Sequence, residues 1–298
     1  MKTYRKTISR ILWQILRTPI APAVKFLFTL THTKTVSERR KTAKKINISK
    51  ETNQKARELD RDGYTIISEL IDTDLLDNLF SESKLKEKAR IKLFQKQDYS
   101  HKGFWIRLLD DETTNGAFDS ENIFVKFATQ KKVIEILSLH FKKTPQLMEV
   151  LLSYSRPTDN DLSYSQLWHR DFDDNNTVKL FVYLSDVNEV DDGPFTFLPK
   201  PNSKKIGFQL RSHLSDEKFF SKTSKDKIIQ MCAPKLTVFM CETSKCYHMG
   251  SRVMPNSSRL MYTATFINPP HLFHREKCRF STTKNLSTIE KQTLGLEA

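Results

Sequence analysis

The chain has 298 residues, 38% of them hydrophobic and 20 of them Phe, which is ample for one large packed domain or two small ones and excludes disorder of the whole. Its formal charge of +14 is local. Residues 1–50 hold 13 Lys/Arg against a single acid, Glu38, and the remainder is nearly balanced at 36 basic and 34 acidic residues, so the body of the protein is not itself a polycation.

Residues 2–17, placed on a helix at about 100° per residue, separate into two faces. Tyr4, Ile8, Ile11, Leu12, Ile15 and Leu16 share one side, while Lys2, Lys6, Arg10 and Arg17 take the other, with Trp13 on that flank. Such a helix suits a lipid headgroup layer, and Pro19 and Pro22 should end it. Docking of the apolar face on the body, or a mitochondrial transit peptide, are the alternatives. The run 11–30 is broken by Gln14, Arg17, Lys25 and two prolines, which argues against a spanning helix. Residues 34–50 read as a solvated linker, and nothing in them resembles a base-reading motif, so no nucleic-acid partner is expected. Residues 1–50 are therefore expected to be a basic arm and linker, with peripheral membrane contact through residues 2–30.

Beyond residue 51 the texture is that of a domain, expected to run to 283, with a frayed tail at 284–298. A short helix, an Asp-Gly turn at 62–63, a strand from Tyr64 and a helix capped by Asp72 or Asp74 come first. Residues 121–141 read as one amphipathic helix of five turns. After 147 the period becomes that of strands: "LMEVLLSYS", "QLWHRD", "VKLFVYLSD", "PFTFLP", "KLTVFMCE" and "RLMYTATFI". Many short strands with long connections predict a mainly β fold with flanking helices, a double-sheet jelly roll of the cupin type. The polar stretch 202–227 interrupts it as a lid or a surface loop. Cys232, Cys241, Cys246 and Cys278 form no C-x-x-C pair, which excludes a disulfide framework or a zinc ribbon and fits a reducing cytoplasm with core thiols; the mitochondrion is the alternative compartment.

The chemistry concentrates at "QLWHRDFDD", residues 166–174. On a strand His169 and Asp171 point to one face and can share an ion. His248, in "KCYHMGSR", is the candidate third ligand, and two imidazoles with one carboxylate leave open positions, as non-haem Fe(II) oxygenases require. An EF-hand is excluded, since Asn176 and Val182 stand where Gly and Glu are needed. Asp173 and Asp174 read as a solvated acidic turn. Arg259 follows His248 by eleven residues across the "MPNSS" turn, so two neighbouring antiparallel strands can bring both into one cavity, where the guanidinium can clamp the far carboxylate of a metal-chelating 2-oxoglutarate.

At these residues the sequence resembles the phytanoyl-CoA dioxygenase family of Fe(II)/2-oxoglutarate oxygenases, over about residues 58–270. The blocks that carry the resemblance are "LDRDGYTIISELIDTDLL", "WHRDFDDNNTVKLFVYLSDVNEVDDGPFTFLP" and "HMGSRVMPNSSRLMYTATFINP". The resemblance implies a double-stranded β-helix in which His169, Asp171 and His248 ligate Fe(II) and Arg259 holds 2-oxoglutarate. It also implies an O2-dependent hydroxylation with release of succinate and CO2; the family's substrates include small molecules, acyl thioesters and amino acid derivatives, and membrane contact by the basic arm would point to a lipid-type one. Related halogenases lack the carboxylate ligand, so Asp171 favours hydroxylation. Two departures stand out. "KPNSKK" replaces the family's Gly-Ser-His turn, and Gly250 occupies the place of a helper hydroxyl, leaving the adjacent Ser251 as the candidate contact to 2-oxoglutarate. Lys179, on the strand leaving the metal site, is a further candidate for that cavity, against the plainer reading of a solvent-facing lysine. The competing class is a non-catalytic jelly-roll binding module docked by its basic arm.

Overall fold

A computed structural model describes residues 18–94, 104–109, 118–271 and 278–297, so the helix expected at 2–17 lies outside the described residues. The described helices are α1 (Ala21–Leu30), α2 (Thr33–Lys44), α3 (Lys50–Asp62), α4 (Thr73–Phe94), α5 (Ile123–Ala128), α6 (Lys131–Phe141), α7 (Lys200–Ile206), α8 (Asp216–Phe220) and α9 (Thr288–Leu294). The strands are β1 (Tyr64–Ile66), β2 (Trp105–Arg107), β3 (Phe118–Asp119), β4 (Gln146–Ser155), β5 (Trp168–His169), β6 (Thr177–Tyr183), β7 (Thr196–Phe197), β8 (His213–Leu214), β9 (Ile229–Gln230), β10 (Val238–Cys241), β11 (His248–Met249), β12 (Arg259–Ile267) and β13 (Phe280–Ser281).

Two antiparallel sheets form the body. The larger runs β1-β10-β6-β12-β4-β2 and the smaller β8-β5-β11-β7-β9, with β3 and β13 as a separate parallel pair. Side-chain alternation explains how the layers stack. On β6, Val178, Leu180 and Val182 belong to a core shared with Leu59, Leu79, Phe124 and Val133 of the helices, whereas Phe181 and Tyr183 join Phe195 and Phe197 of the small sheet. Strand β12 repeats the division: Leu260, Tyr262 and Phe266 pack towards the helices, Met261 towards the small sheet. The large sheet is thus a wall with helices behind it and the small sheet before it, the jelly roll expected from the strand pattern. In this phase Lys179 and Arg259 fall on the inner face.

Four expectations change. The helix at 121–141 is two helices, because Gln130 adopts φ −58°, ψ 150° between them. Its side chain donates to the Phe127 carbonyl and accepts from the Asp72 N–H, tying the end of α5 to the start of α4. The run read as a solvated linker contains α2, whose Arg39 is 1% exposed. That guanidinium donates to the carbonyls of Thr144, Pro145 and Gln292 and pairs with Glu297. The tail read as frayed is α9, opened by a capping box between Ser287 and Glu290, with Gln292, Thr293 and Leu294 buried. The acidic turn is also not solvated as a whole. Asp174 is buried and receives the Lys25 ammonium of α1 at 2.9 and 2.6 Å, and that ammonium also donates to the Asn268 and Pro270 carbonyls. Among the described residues no helix is long and apolar enough to cross a membrane.

Candidate metal centre

The centre lies between the sheets. β5 and β11 pair so that His169 faces His248 directly, their ring centroids 4.2 Å apart. The strand read at 166–171 is only Trp168–His169, and Asp171 lies past its end. Its N–H donates to the Thr243 carbonyl, which turns the carboxylate back to the histidines. Asp171 Oδ1 is 3.9 Å from His169 Nε2 and Oδ2 is 3.8 Å from His248 Nε2. One ligand atom from each of the three lies within 4.8 Å of the others.

The tautomers follow from the backbone. His169 Nδ1 lies 2.8 Å from the Leu167 carbonyl and His248 Nδ1 3.0 Å from that of Cys246. A carbonyl only accepts, so each Nδ1 carries the proton and each Nε2 presents a lone pair to the centre. Burial, reinforced by neighbouring His248, pushes His169 down to about 3, and burial lowers His248 as well. Both imidazoles are therefore neutral and ready to ligate near pH 7. For Asp171 burial favours the acid, but the Lys179 ammonium outweighs it and holds the carboxyl well below its usual range. Lys179 Nζ is 2.7 Å from Asp171 Oδ2. The solvent-facing reading of that lysine is corrected by its phase, the same as Phe181 and Tyr183.

Arg259 reaches the site by a different route from the one expected. It opens β12 in the large sheet, whereas His248 is on β11 in the small one, so the two are not on neighbouring strands. Ser251, three residues after His248, connects them: Arg259 Nη2 donates to Ser251 Oγ at 2.7 Å, and Nη1 donates to the Gly193 carbonyl. Ser155 Oγ completes the group at 3.1 Å from Ser251 Oγ. Gly193 has φ +68°, and a Cβ there would sit 2.8 Å from Val253, so the turn that supplies the carbonyl needs glycine. The guanidinium is 1% exposed, its Nε has no hydrogen-bond partner, and among the described residues no carboxylate pairs with it. Burial lowers its affinity for the proton without any such anion to oppose the effect.

Several site residues carried no readable sequence signal. His213 comes from the stretch 202–227, which is not a plain loop: it forms β8, pairs with β5 and stacks on His169 at 5.1 Å. The same stretch supplies Phe219, stacked on Trp168 at 3.9 Å, and Asp216, which accepts from Trp168 Nε1 and binds Arg252 in bidentate fashion. "KPNSKK" proves to be most of α7, whose Ser203 Oγ accepts the Tyr247 N–H beside His248. A cavity of about 190 Å³ opens beside Asp171, lined among others by Thr18, Pro22, Arg170, Phe208 and Lys245. A larger one, about 420 Å³, lies behind Trp168 on the outer side of the small sheet, and none of His169, Asp171 and His248 lines it.

The chain resembles solved structures in this arrangement of sheets. EctD from S. alaskensis, in its apoform, matches over 78% of this chain and 82% of its own at a TM-score of 0.54 and 14% identity. HygX from Streptomyces hygroscopicus, with nickel and 2-oxoglutarate bound, matches over 77% and 90% at 0.50 and 15%. The fold is theirs. A further EctD structure, with bound Fe, matches at 0.52. Identity at this level establishes shared architecture only. No family model and no curated protein sequence matches the chain.

Proposed function

We propose that the protein is an Fe(II)- and 2-oxoglutarate-dependent dioxygenase that hydroxylates an unactivated C–H bond of a small-molecule or lipid-type substrate, releasing succinate and CO2. The observation that carries this reading is the pairing of a His169–Asp171–His248 set with a buried guanidinium that meets no carboxylate among the described residues. Two neutral imidazoles and a carboxylate are the donor set of non-haem Fe(II) sites with open coordination positions. The fold shared with proteins whose structures hold Fe, or nickel with 2-oxoglutarate, supports it.

Bound Fe(II), with 2-oxoglutarate and O2, supplies the oxidising power for C–H functionalisation. The chain's own residues do the rest. The Leu167 and Cys246 carbonyls fix the two imidazole planes and keep both Nε2 atoms unprotonated. Lys179 keeps Asp171 ionised. Arg259, braced by Gly193 and Ser251, holds the distal carboxylate of the keto acid, and the Phe181, Phe195 and Phe197 cluster keeps water from that side.

Purified protein supplied with Fe(II), ascorbate and labelled 2-oxoglutarate is expected to release labelled CO2 and succinate slowly even without substrate, and His169→Ala to release none. Absence of both metal binding and 2-oxoglutarate binding in the wild type would sink the proposal and leave the non-catalytic binding module.

A further inference from the structure

Helix α1 is built inside out. On a helical wheel the exposed residues Ile20, Ala23, Phe26, Leu27 and Leu30 occupy one continuous arc, while the only charged residue of the helix, Lys25, points inward to Asp174. Ile20, Phe26, Leu27 and Leu30 are 58%, 63%, 62% and 53% exposed. An uncharged face with four large side chains in water is unfavourable unless something covers it.

The surroundings indicate what does. Lys34, Arg40, Lys41, Lys44 and Lys45 of the following segment are exposed, and residues 1–17 contribute Lys2, Arg5, Lys6, Arg10 and Arg17 with no acid. A second copy would bring the same charge to the same face and be repelled. An apolar helix face flanked by cations matches an anionic lipid surface, where acyl burial and headgroup attraction add.

The position of the face matters as much as its chemistry. Thr18, Pro19 and Pro22, at the start of α1, line the cavity that opens beside Asp171, and so does Phe208, 47% exposed, with Leu210 at 85% two residues further on. Arg170 and Lys245 line the same cavity, and the Arg170 Nε is buried without a hydrogen-bond partner among the described residues.

We infer that α1 docks by its outer face on an anionic lipid surface and so presents the cavity beside Asp171 to an anionic amphiphile held in that surface. The substrate part rests on the proposed oxygenase reading; the docking part does not.

The test is cosedimentation of the full chain with phosphatidylcholine vesicles and with mixed phosphatidylcholine–phosphatidylglycerol vesicles, at low and high salt. The wild type is expected to sediment with the mixed vesicles only, less so at high salt, and the triple variant Phe26→Asp, Leu27→Asp, Leu30→Asp to bind at least about tenfold more weakly. These side chains are exposed, so melting temperature and Co(II) binding should not change in the variant. Removing residues 1–17 should weaken binding without abolishing it. Wild type left in the supernatant, a triple variant that sediments as well as wild type, or loss of all binding on removing 1–17 alone would each overturn the docking role of α1. A wild-type dimer that the triple variant converts to monomer would assign the face to a second copy instead. If vesicles bind but Co(II) and 2-oxoglutarate do not, the oxygenase reading and its substrate fall while the docking surface stands.

Discussion

Arg39 and Arg259 are both 1% exposed, yet their surroundings differ in kind. Arg39, in the α2 layer, has a carboxylate and three carbonyls, and its Nε and both Nη atoms are engaged. Arg259, between the sheets, has one carbonyl, two hydroxyls, an idle Nε and, among the described residues, no anion. Burial lowers the proton affinity of both, and only around Arg39 does a carboxylate oppose it. Arg39 is part of the fold's own framework. Arg259 has no such internal carboxylate among the described residues, and under the proposed function the carboxylate of 2-oxoglutarate would supply it.

Substitutions can break this contrast. The largest effect concerns chemistry: Asp171→Ala should abolish succinate release, while Arg39→Met should leave release per folded molecule unchanged, both measured by product formation on protein quantified as folded. Next is Lys25→Met, which strands Asp174 in the interior and should cost about 3–5 kcal/mol of stability in a denaturant titration. Arg39→Met, which frees three buried carbonyls, should cost about 3 kcal/mol. Arg259→Met should change stability by less than about 1 kcal/mol, because it removes an uncompensated charge, yet weaken 2-oxoglutarate binding about 10- to 100-fold. Equal destabilisation by the two arginine substitutions would make Arg259 structural and erase the distinction. Smallest is Ser251→Ala, expected to cost about 1 kcal/mol in 2-oxoglutarate affinity by calorimetry, with the melting temperature unaltered.

Much of the site was legible because strand alternation is local information. Strand β12 was delimited correctly at Arg259 to Ile267, whereas Asp171 joins His169 past the end of β5, through its N–H bond to the Thr243 carbonyl rather than through alternation. Lys179 was legible too, since Phe181 and Tyr183 share its phase; weighing it as a lone lysine lost that information. Three things left no local trace. The sheet in which Arg259 sits depends on global topology. The strand formed by His213 and Leu214 is two residues long inside a polar stretch. α2 buries only Val36 and Arg39, and the polar partners of Arg39 lie 105 to 258 residues away, so neither composition nor periodicity announces it. Charge-rich segments read as solvated by default, and α2 shows how one fully bonded guanidinium beside one buried valine reverses that.

The Arg39–Glu297 pair spans 258 residues of chain. A ribosome adding about 5–20 residues per second takes roughly 10–50 s to cover that interval. Within it the Thr144 and Pro145 carbonyls that Arg39 binds are made before its carboxylate, so the ion pair closes only after that interval has been synthesised.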